Sequence, residues 1–212
     1  MILHGYFRSS AAYRVRIALN LKAIAYEQRS LHLRKGEQRS ADYRARNPQG
    51  LVPMLETGDG RFTQSLAIID YLDEIHPTPA LLPPGVADRA YCRSLAQIIA
   101  CDIHPIDNLR VLTYLKDELA ADEAAVGQWY NHWIAEGFAA FEAMIAVDSR
   151  TGRFCIGDTP TLADIALVPQ VFNAARYQLD MSAYPTISRI NAECAMLPAF
   201  ADAHPMRQPD AE

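Results

Sequence analysis

The sequence has 212 residues, of which 50% are apolar, and its 20 Lys+Arg and 25 Asp+Glu give a formal net charge of -5. This length fits one or two compact domains, and the apolar half is enough for a sizeable core. Charges of both signs are interspersed, whereas general nucleic-acid and membrane-surface binders concentrate positive charge, so neither partner is expected. No apolar run approaches the roughly 20 residues of a membrane span.

The N-terminus and the cysteines predict a cytoplasmic protein. Residues 1–6 lack the basic segment and apolar run of a signal peptide. The four cysteines show neither C-x-x-C nor metal-ligand spacing; they are Cys92, Cys101, Cys155 and Cys194. We therefore expect reduced, mostly buried thiols and no metal site.

The first 80 or so residues mix strand and helix signals. A strand-like run covers residues 2–7, and apolar residues at helical spacing predict a helix over 11–22. Ser9 or Ser10 is a natural N-cap for this helix. A second strand is predicted over 25–33.

A hairpin and another helix follow. The turn signal at 47–50 precedes short strands predicted over 51–56 and 61–63, which a Thr-Gly-Asp-Gly segment joins. Ser65 is expected to cap a helix over 66–75. The order β-α-β, then β-β-α, makes this an α/β domain.

The remainder of the chain shows only helical patterns. A proline-rich linker at 77–84 separates it from the first part, and the tail after His204 is expected to run over the surface. Predicted helices cover 88–118, 121–147, 162–178 and 184–197. Thr161 and Asp164 fit a capping box that would fix the start of the third of these helices. The second part is therefore predicted to be all-helical.

Residues at three positions could take part in catalysis or ligand binding. Ser9 lies at a predicted strand-to-helix joint, where a helix N-terminus and a hydroxyl donor could stabilise a bound thiolate. The proline in Val52-Pro53 cannot donate to a strand ladder, so it marks an edge, a bulge or a cis bond that leaves the Val52 backbone available to a peptide-like ligand. Ser65, after Gln64, could bind a carboxylate at a helix N-terminus. Each signal alone also fits a plain N-cap or an edge-strand proline.

The segments that contain these positions resemble the zeta-class glutathione transferases, and the resemblance runs nearly end to end. The matching segments are 8–19, Asn47-Pro48 with Val52-Pro53, 64–69, Asn108-Leu109, Ala163-Asp164, 167–171, Asn173-Ala174 with Arg176, 184–187 and the ending from His204 to Asp210.

The resemblance implies a glutathione transferase fold, in which a thioredoxin-like glutathione-binding domain at 1–82 precedes an all-α substrate-binding domain at 87–212. It also implies a homodimer, with glutathione held in a cleft between the two domains of each chain.

The resemblance also implies roles for individual residues. Ser9 would activate the thiol of glutathione as the catalytic residue. Val52, beside cis-Pro53, would pair with the cysteine of glutathione, and Gln64 with Ser65 would anchor its γ-glutamyl end. The remaining glutathione-binding positions would be Ser10, Ala11, Gln38, His104, Asn108, Leu109 and Arg110. A small dicarboxylate keto-acid substrate would be clamped by Arg8, Arg110 and Arg176, because guanidinium pairs with carboxylate.

The sequence departs from the family pattern at a few positions. Ala11 stands where the family usually has cysteine, so no mechanism that needs that thiol applies here. Tyr13 stands where tryptophan is common. His104 replaces a common glutamine and Arg110 replaces a smaller residue, which adds polar and positive character near the expected substrate pocket.

The activity implied by the resemblance is the glutathione-dependent cis–trans isomerisation of a maleyl keto-acid in aromatic-compound catabolism. Maleylpyruvate is favoured, because Ala11, His104 and Arg110 depart together from the common pattern; maleylacetoacetate, of tyrosine and phenylalanine catabolism, is the alternative. A glutathione transferase or dehalogenase of small halo-acids and a non-catalytic glutathione-fold subunit are the other readings.

Overall fold

The computed structural model describes all 212 residues, which divide into two compact units. The first unit contains Met1–Leu81 together with Met196–Glu212, and the second contains Leu82–Ala195. None of the helices has both the length and the apolar character that crossing a membrane requires.

A four-stranded mixed sheet forms the centre of the first unit. Its strands are β1 (Ile2–Gly5), β2 (Glu27–Ser30), β3 (Met54–Thr57) and β4 (Gly60–Thr63). They lie in the order β2-β1-β3-β4, with β1 parallel to β2 and antiparallel to β3, which pairs antiparallel with β4. Leu3 lies opposite Leu55 in this sheet, and both side chains are completely buried. The predicted order of strands and helices is confirmed.

Four helices of the first unit accompany the sheet: α1 (Ser10–Leu21), α2 (Ala41–Arg46), α3 (Ser65–Ile75) and α9 (Pro198–Ala203). Helix α1 packs against both α3 and α9. Helix α2 was not predicted from the sequence, since it is short and mostly exposed. The Ser40 hydroxyl begins it by accepting from the Tyr43 N–H, and the buried Tyr43 ring fixes it to the core.

The C-terminal segment runs over the surface, as predicted, since Pro205 is the one buried residue after His204, but it is also bonded into the first unit. The buried Arg16 on α1 donates from Nε to the Ala203 carbonyl at 3.0 Å. The Phe7 N–H donates to the Asp210 carboxylate at 2.9 Å. These donors lie in or next to the core and need acceptors that the strand and helix ladders do not supply.

The second unit contains five α-helices: α4 (Val86–Gln97), α5 (Leu109–Asp117), α6 (Glu123–Val147), α7 (Leu162–Arg176) and α8 (Pro185–Ala195). Helix α7 is buried along most of its length and packs against α4, α6 and α8. The prediction of an all-helical second part is therefore confirmed.

The predicted single helix over 88–118 is wrong, because the structure divides it. Helix α4 passes into a π-helical segment, Ile98–Ile103, and α5 begins only after Asn108. Pro105 lacks an N–H and its ring clashes with the preceding turn of a helix, which ends the first segment. The Asn108 side chain then caps the second by accepting from the Arg110 N–H at 3.0 Å.

The predicted capping box at the start of α7 is confirmed. The Asp164 carboxylate accepts from the Thr161 N–H at 2.8 Å and from the Cys155 N–H at 2.8 Å. Complete burial raises the pKa of Asp164, while these hydrogen bonds favour its ionised form. The carboxylate thereby joins the loop around Cys155 to the helix start.

None of the four cysteines forms a disulfide. Cys92, Cys155 and Cys194 are buried, whereas Cys101 is exposed on the π-helical segment.

Candidate active site

The N-terminus of α1 presents the predicted thiol-activating group. Ser9 is the N-cap, and its Oγ accepts a hydrogen bond from the Ala12 N–H at 3.2 Å. A hydroxyl has one proton to donate besides its acceptor lone pairs, so this bond leaves the Ser9 O–H able to donate to an anion. Ser10 and Ala11 form the first turn, whose N–H groups carry the positive end of the helix dipole. This end of α1 is chemically suited to a thiolate.

Arg8 acts electrostatically on the exposed carboxylate of Glu212. Its guanidinium is 5.2 Å from the centre of the Phe7 ring, and it contributes to lowering the pKa of the Glu212 carboxyl, after hydrogen bonds from Tyr6 and His32. The Tyr6 hydroxyl donates to Glu212 at 3.0 Å. Arg8 therefore has a carboxylate of its own chain nearby.

The loop before β3 is fixed by two hydrogen bonds to one carbonyl. The Tyr43 hydroxyl and the Asn47 Nδ2 each donate to the Leu51 carbonyl at 2.7 Å. Gly50 adopts a φ of 62°, and a Cβ at that position would meet the Gln38 carbonyl at 3.1 Å. Both facts favour glycine there. Gln38 itself is buried, with Nε2 donating to the Leu33 carbonyl at 3.3 Å.

Val52 follows this loop and stands outside the sheet. The Val52–Pro53 peptide bond is cis. Pairing of β3 with β1 and β4 begins only at Met54, so the predicted strand start at 51 is wrong. The Pro53 nitrogen cannot donate, which ends the ladder at this point. The Val52 backbone groups are consequently left outside the ladder.

The start of α3 differs from the prediction in one respect. Ser65 is the first residue of the helix and Gln64 occupies the N-cap position, with φ 68° and ψ 113°. A positive φ is rare for a residue with a side chain and costs backbone strain. The Gln64 Nε2 donates to the Gln49 Oε1 at 2.9 Å. The Ser65 hydroxyl accepts from Nη1 of the buried Arg14 at 3.2 Å.

In the second unit, the predicted positions cluster around the break between α4 and α5. His104 follows the π-helical segment and its N–H donates to the Ile99 carbonyl at 2.9 Å. The Trp129 indole, on α6, donates a hydrogen bond from Nε1 to the Ile106 carbonyl at 3.0 Å. The N-cap of α5, Asn108, has a clear structural role, and the two positions after it, Leu109 and Arg110, are exposed.

Arg176 is the last residue of α7 and is exposed. Its Nη1 donates to the Asn173 Oδ1 at 3.3 Å, and its guanidinium carbon is 5.7 Å from the centre of the Tyr177 ring. An exposed guanidinium held by a neutral amide keeps its full charge for an anionic ligand.

Asp107 was missed by sequence reasoning. Its side chain is only 4% exposed, and neither carboxylate oxygen has a hydrogen-bond partner. Burial raises the pKa of this carboxyl to about 8. No local pattern indicates a buried acid in this turn between α4 and α5.

The structure thus brings the predicted positions together as two sets. The first unit contains Arg8, Ser9 to Ala11, Gln38, Val52-Pro53 and Gln64-Ser65. The second unit contains His104, Asn108 to Arg110, and Arg176. The first set offers two helix N-termini, from α1 and α3, and an unpaired backbone segment. The second set offers two exposed arginines.

Comparison with known proteins is consistent with these features. Residues 3–80 match the family model "Glutathione S-transferase, N-terminal domain" and residues 127–203 match "Glutathione S-transferase, C-terminal domain". The chain therefore belongs to the glutathione S-transferase family, and its full-length relatives and structural neighbours place it in the zeta class.

The most similar relatives that we compared are maleylpyruvate and maleylacetoacetate isomerases. The chain is 50% identical to a maleylpyruvate isomerase of Ralstonia sp. over 99% of both chains, and 50% identical to a probable maleylacetoacetate isomerase of Vibrio cholerae over 100% of this chain and 98% of that one. Among solved structures, a holo maleylpyruvate isomerase of the zeta class superposes with a TM-score of 0.98 at 50% identity, with both chains covered completely. A Methylobacterium extorquens maleylacetoacetate isomerase with bound malonate and glutathione gives 0.97 at 44% identity, again over both whole chains.

Proposed function

We propose that this chain is a glutathione-dependent cis–trans isomerase that converts maleylpyruvate to fumarylpyruvate. The observation that carries the proposal is the 50% identity to a maleylpyruvate isomerase over nearly the whole chain, together with a capping serine, Ser9, that can donate to a thiolate. Glutathione is the cofactor, and neighbours with glutathione bound support this assignment.

The first unit would bind glutathione. The cysteine of glutathione lies along the Val52 backbone, which the sheet leaves unpaired. The hydrogen bonds between the two backbones then resemble those of a short added strand. The γ-glutamyl carboxylate is taken by the N-terminus of α3, at Gln64 and Ser65, because an anion there meets N–H groups and the positive end of the dipole. Ser10, Ala11 and Gln38 would complete this set. From the resemblance to the zeta class we also propose glutathione-binding roles for His104, Asn108, Leu109 and Arg110.

Chemically, the thiolate of glutathione adds to one carbon of the cis double bond conjugated to the ketone. The new carbon–sulfur bond leaves a carbon–carbon single bond and an enolate. Rotation about that bond and expulsion of the thiolate give the trans double bond, so glutathione is regenerated. Ser9 stabilises the thiolate, and lowering a thiol pKa by two units corresponds to about 2.7 kcal/mol of preferential stabilisation. Holding the thiolate against the reacting carbon contributes up to roughly 7–11 kcal/mol in well-oriented cases.

Arginines would hold the two substrate carboxylates. Arg176 is the strongest candidate, since it is exposed and bonded only to a neutral amide. Arg110 is also exposed, on the first turn of α5. Arg8 lies near Glu212, so a substrate carboxylate must compete with that side chain.

Maleylacetoacetate is the second candidate substrate, and the equal identity to a probable maleylacetoacetate isomerase favours it. His104 and Arg110, which add polar and positive character, support maleylpyruvate, together with Ala11, which also departs from the common pattern. Maleylpyruvate carries its ketone next to a carboxylate, and the additional arginine suits this more compact anion.

The remaining proposals concern the domain limits, the oligomeric state and the cellular location of the protein. We propose that residues 1–82 form a glutathione-binding domain and that 87–212 form a substrate-binding domain whose last segment, Met196–Glu212, packs with the first unit. We also propose a homodimer in the cytoplasm. The full-length resemblance to the zeta class supports the assembly, and the four unpaired thiols fit a reducing compartment.

The ratio of kcat/KM for maleylpyruvate to that for maleylacetoacetate tests the substrate assignment. We expect it to favour maleylpyruvate, and a ratio below one would assign the enzyme to maleylacetoacetate. Arg176→Ala should raise KM for the preferred substrate about tenfold or more, and Arg176→Lys should raise it less, because lysine keeps the charge without the bidentate geometry. An unaltered KM in Arg176→Ala would remove Arg176 from the carboxylate clamp.

The role of Ser9 is tested separately at saturating glutathione. Ser9→Ala should lower kcat strongly, and Ser9→Thr should retain part of it because the hydroxyl is kept. Asp122→Ala is the matched control, since it removes an N-cap that likewise accepts from a backbone N–H three residues on, at the start of α6. Unchanged turnover in Ser9→Ala would contradict the mechanism.

A further inference from the structure

The loop between β1 and α1 carries Ser9, and its backbone belongs to neither element. Strand β1 ends at Gly5 and α1 begins at Ser10. The Phe7 side chain in this loop is completely buried, and backbone groups held away from water need hydrogen-bond partners. The Ser9 N–H donates to the Tyr6 carbonyl at 3.0 Å, so the place of Ser9 depends on how this loop is held.

Both backbone polar groups of Phe7 are bound by side chains, and both links lead to the C-terminal segment. The Phe7 N–H donates to Oδ2 of Asp210 at 2.9 Å. The Phe7 carbonyl accepts from Nη2 of Arg16 at 2.9 Å, and Nε of the same guanidinium donates to the Ala203 carbonyl at 3.0 Å. The C-terminal segment therefore fixes the backbone two residues before Ser9.

The Asp210 carboxylate has a second partner within the first unit. Its Oδ1 accepts from Nε2 of Gln28, on β2, at 3.1 Å, so each of its two oxygens is bound to a different element. A carboxylate held in this way has a fixed orientation, and hydrogen bonds to an ionised acceptor are stronger than those between neutral groups. Asp210 thus ties the Ser9 loop to the neighbouring strand.

Glu212 makes a weaker contact with the same loop. Its Oε1 accepts from the Tyr6 hydroxyl at 3.0 Å and lies 3.1 Å from Nε2 of His32. Glu212 is exposed, and exposed charge pairs contribute little. Asp210, which binds the backbone itself, is the stronger of the two contacts.

We propose that Asp210 is a positioning residue that holds the loop between β1 and α1 in the geometry in which Ser9 donates to the glutathione thiolate. This proposal rests on the proposed function, which assigns Ser9 to the thiol. Without the carboxylate, the Phe7 N–H loses its acceptor and the loop shifts to satisfy it. The Ser9 hydroxyl then meets the thiolate in poorer geometry, and hydrogen bonds weaken steeply as their geometry worsens.

The thiol pKa of glutathione in its complex with the protein tests the proposal without any turnover, and ultraviolet absorbance of the thiolate measures it. Loss of a negative charge near a thiolate favours the anion, so electrostatics alone would lower this pKa in Asp210→Ala. Loss of positioning acts in the opposite direction and should raise it by about one unit, a change of up to about tenfold in the thiolate fraction. An unchanged or lowered thiol pKa in Asp210→Ala would overturn the proposal.

Two further variants separate the charge of Asp210 from its geometry. Asp210→Asn keeps an oxygen that can accept from the Phe7 N–H and removes the charge, so its thiol pKa should equal that of wild type or lie below it. Asp210→Glu keeps the charge and displaces the carboxylate by one methylene, so its thiol pKa should rise. A rise in Asp210→Asn as large as that in Asp210→Ala would overturn the proposal.

Asp202→Ala is the matched control, since Asp202 lies in the same C-terminal segment and its carboxylate binds Arg207 of that segment at 2.7 Å. Its thiol pKa should equal that of wild type. A rise like that of Asp210→Ala would show that any loosening of the segment suffices, which would overturn the specific role of Asp210. If Asp210→Ala does not fold, Asp210→Glu replaces it, and a thiol pKa equal to that of wild type would then overturn the proposal.

The pH dependence of turnover is the second readout. At about pH 7, kcat of Asp210→Ala should fall up to about tenfold, and it should recover as pH rises through the raised thiol pKa. A loss of kcat that persists at alkaline pH would contradict positioning, because a damaged fold is not repaired by deprotonating glutathione.

The two readouts also separate the proposals. A thiol pKa that rises in Asp210→Ala but not in Asp210→Asn, without turnover of either maleyl keto-acid, would support the positioning role and contradict the proposed function. Glutathione-dependent turnover with a thiol pKa that does not depend on Asp210 would do the reverse. A wild type that does not bind glutathione would contradict both.

Discussion

The Arg14 guanidinium donates a hydrogen bond to the Ser65 hydroxyl, with 3.2 Å between Nη1 and Oγ. Arg14 lies in the second turn of α1 and is 1% exposed, while Ser65 begins α3. This charge-assisted bond therefore joins the two helices whose N-termini would bind glutathione in the proposed function. The position of Ser65 depends on a residue of another helix, which explains why a local capping rule alone did not describe it.

A double-mutant cycle measures this connection. Ser65→Ala and Arg14→Met should each destabilise the protein, and their coupling energy should be about 1.5–3 kcal/mol, as for hydrogen bonds to charged groups. Both single variants should also bind glutathione more weakly, because the start of α3 loses its fixed position. Denaturant unfolding gives the energies. Strict additivity of the two changes would contradict a direct interaction.

Gln64 should show a trade-off between stability and binding. Its φ of 68° favours glycine, so Gln64→Gly should stabilise the fold by about 1 kcal/mol relative to Gln64→Ala, which keeps the unfavourable backbone conformation. Both variants lose the side chain and should bind glutathione more weakly. Unfolding midpoints and glutathione titrations on the same preparations check this. An alanine variant as stable as the glycine variant would show that the backbone at 64 is not strained.

Two helix caps with different burial should differ in their effect on stability. Asp164→Ala removes a fully buried carboxylate that accepts from Thr161 and Cys155, and should cost about 2–4 kcal/mol. Asp122→Ala removes the exposed cap of α6, which accepts from the Ala125 N–H at 2.8 Å, and should cost about 1 kcal/mol. Urea unfolding of both variants measures the difference, and equal losses would be inconsistent with the role of burial.

Glu56 should contribute to the acid sensitivity of the first unit. A hydrogen bond from His4, assisted by Arg61 and Arg46, lowers the pKa of Glu56. A carboxyl with a lowered pKa stabilises the fold above its unfolded value of about 4.5, and this stabilisation is lost as pH falls through the folded pKa. Glu56→Gln should therefore lose less stability than wild type as pH falls below about 4.5.

The control for this prediction is Glu27→Gln, a charge-matched change at an exposed position on β2. Thermal midpoints from about pH 7 to pH 3 should fall in parallel for wild type and Glu27→Gln. If Glu56→Gln also follows that curve, Glu56 does not contribute to acid unfolding.

The elements that the sequence predicted well are those specified by local chemistry. The N-cap at Ser9, the hairpin before β4 and the capping box of Thr161 and Asp164 depend on residues within a few positions of one another. Helix α6 follows from its long apolar periodicity, and the structure begins and ends it within two residues of the prediction.

The elements that were missed depend on contacts between distant residues. Ile99 and Ile103 continue the apolar spacing of α4 through the π-helical segment, so periodicity did not reveal the break that Pro105 and Asn108 complete. The C-terminal tail is held by donors near residues 6–16, and Asp107 is buried although it lies in an irregular turn between α4 and α5. Neither leaves a signal in the local pattern.

Incubation of the enzyme with maleylpyruvate, with and without glutathione, tests the central claim most directly when product and free thiol are measured together. The account predicts conversion to fumarylpyruvate that requires glutathione and leaves the thiol concentration unchanged, because the carbon–sulfur bond that forms is broken again. Conversion that does not need glutathione, or a loss of thiol that matches the loss of substrate, would contradict it.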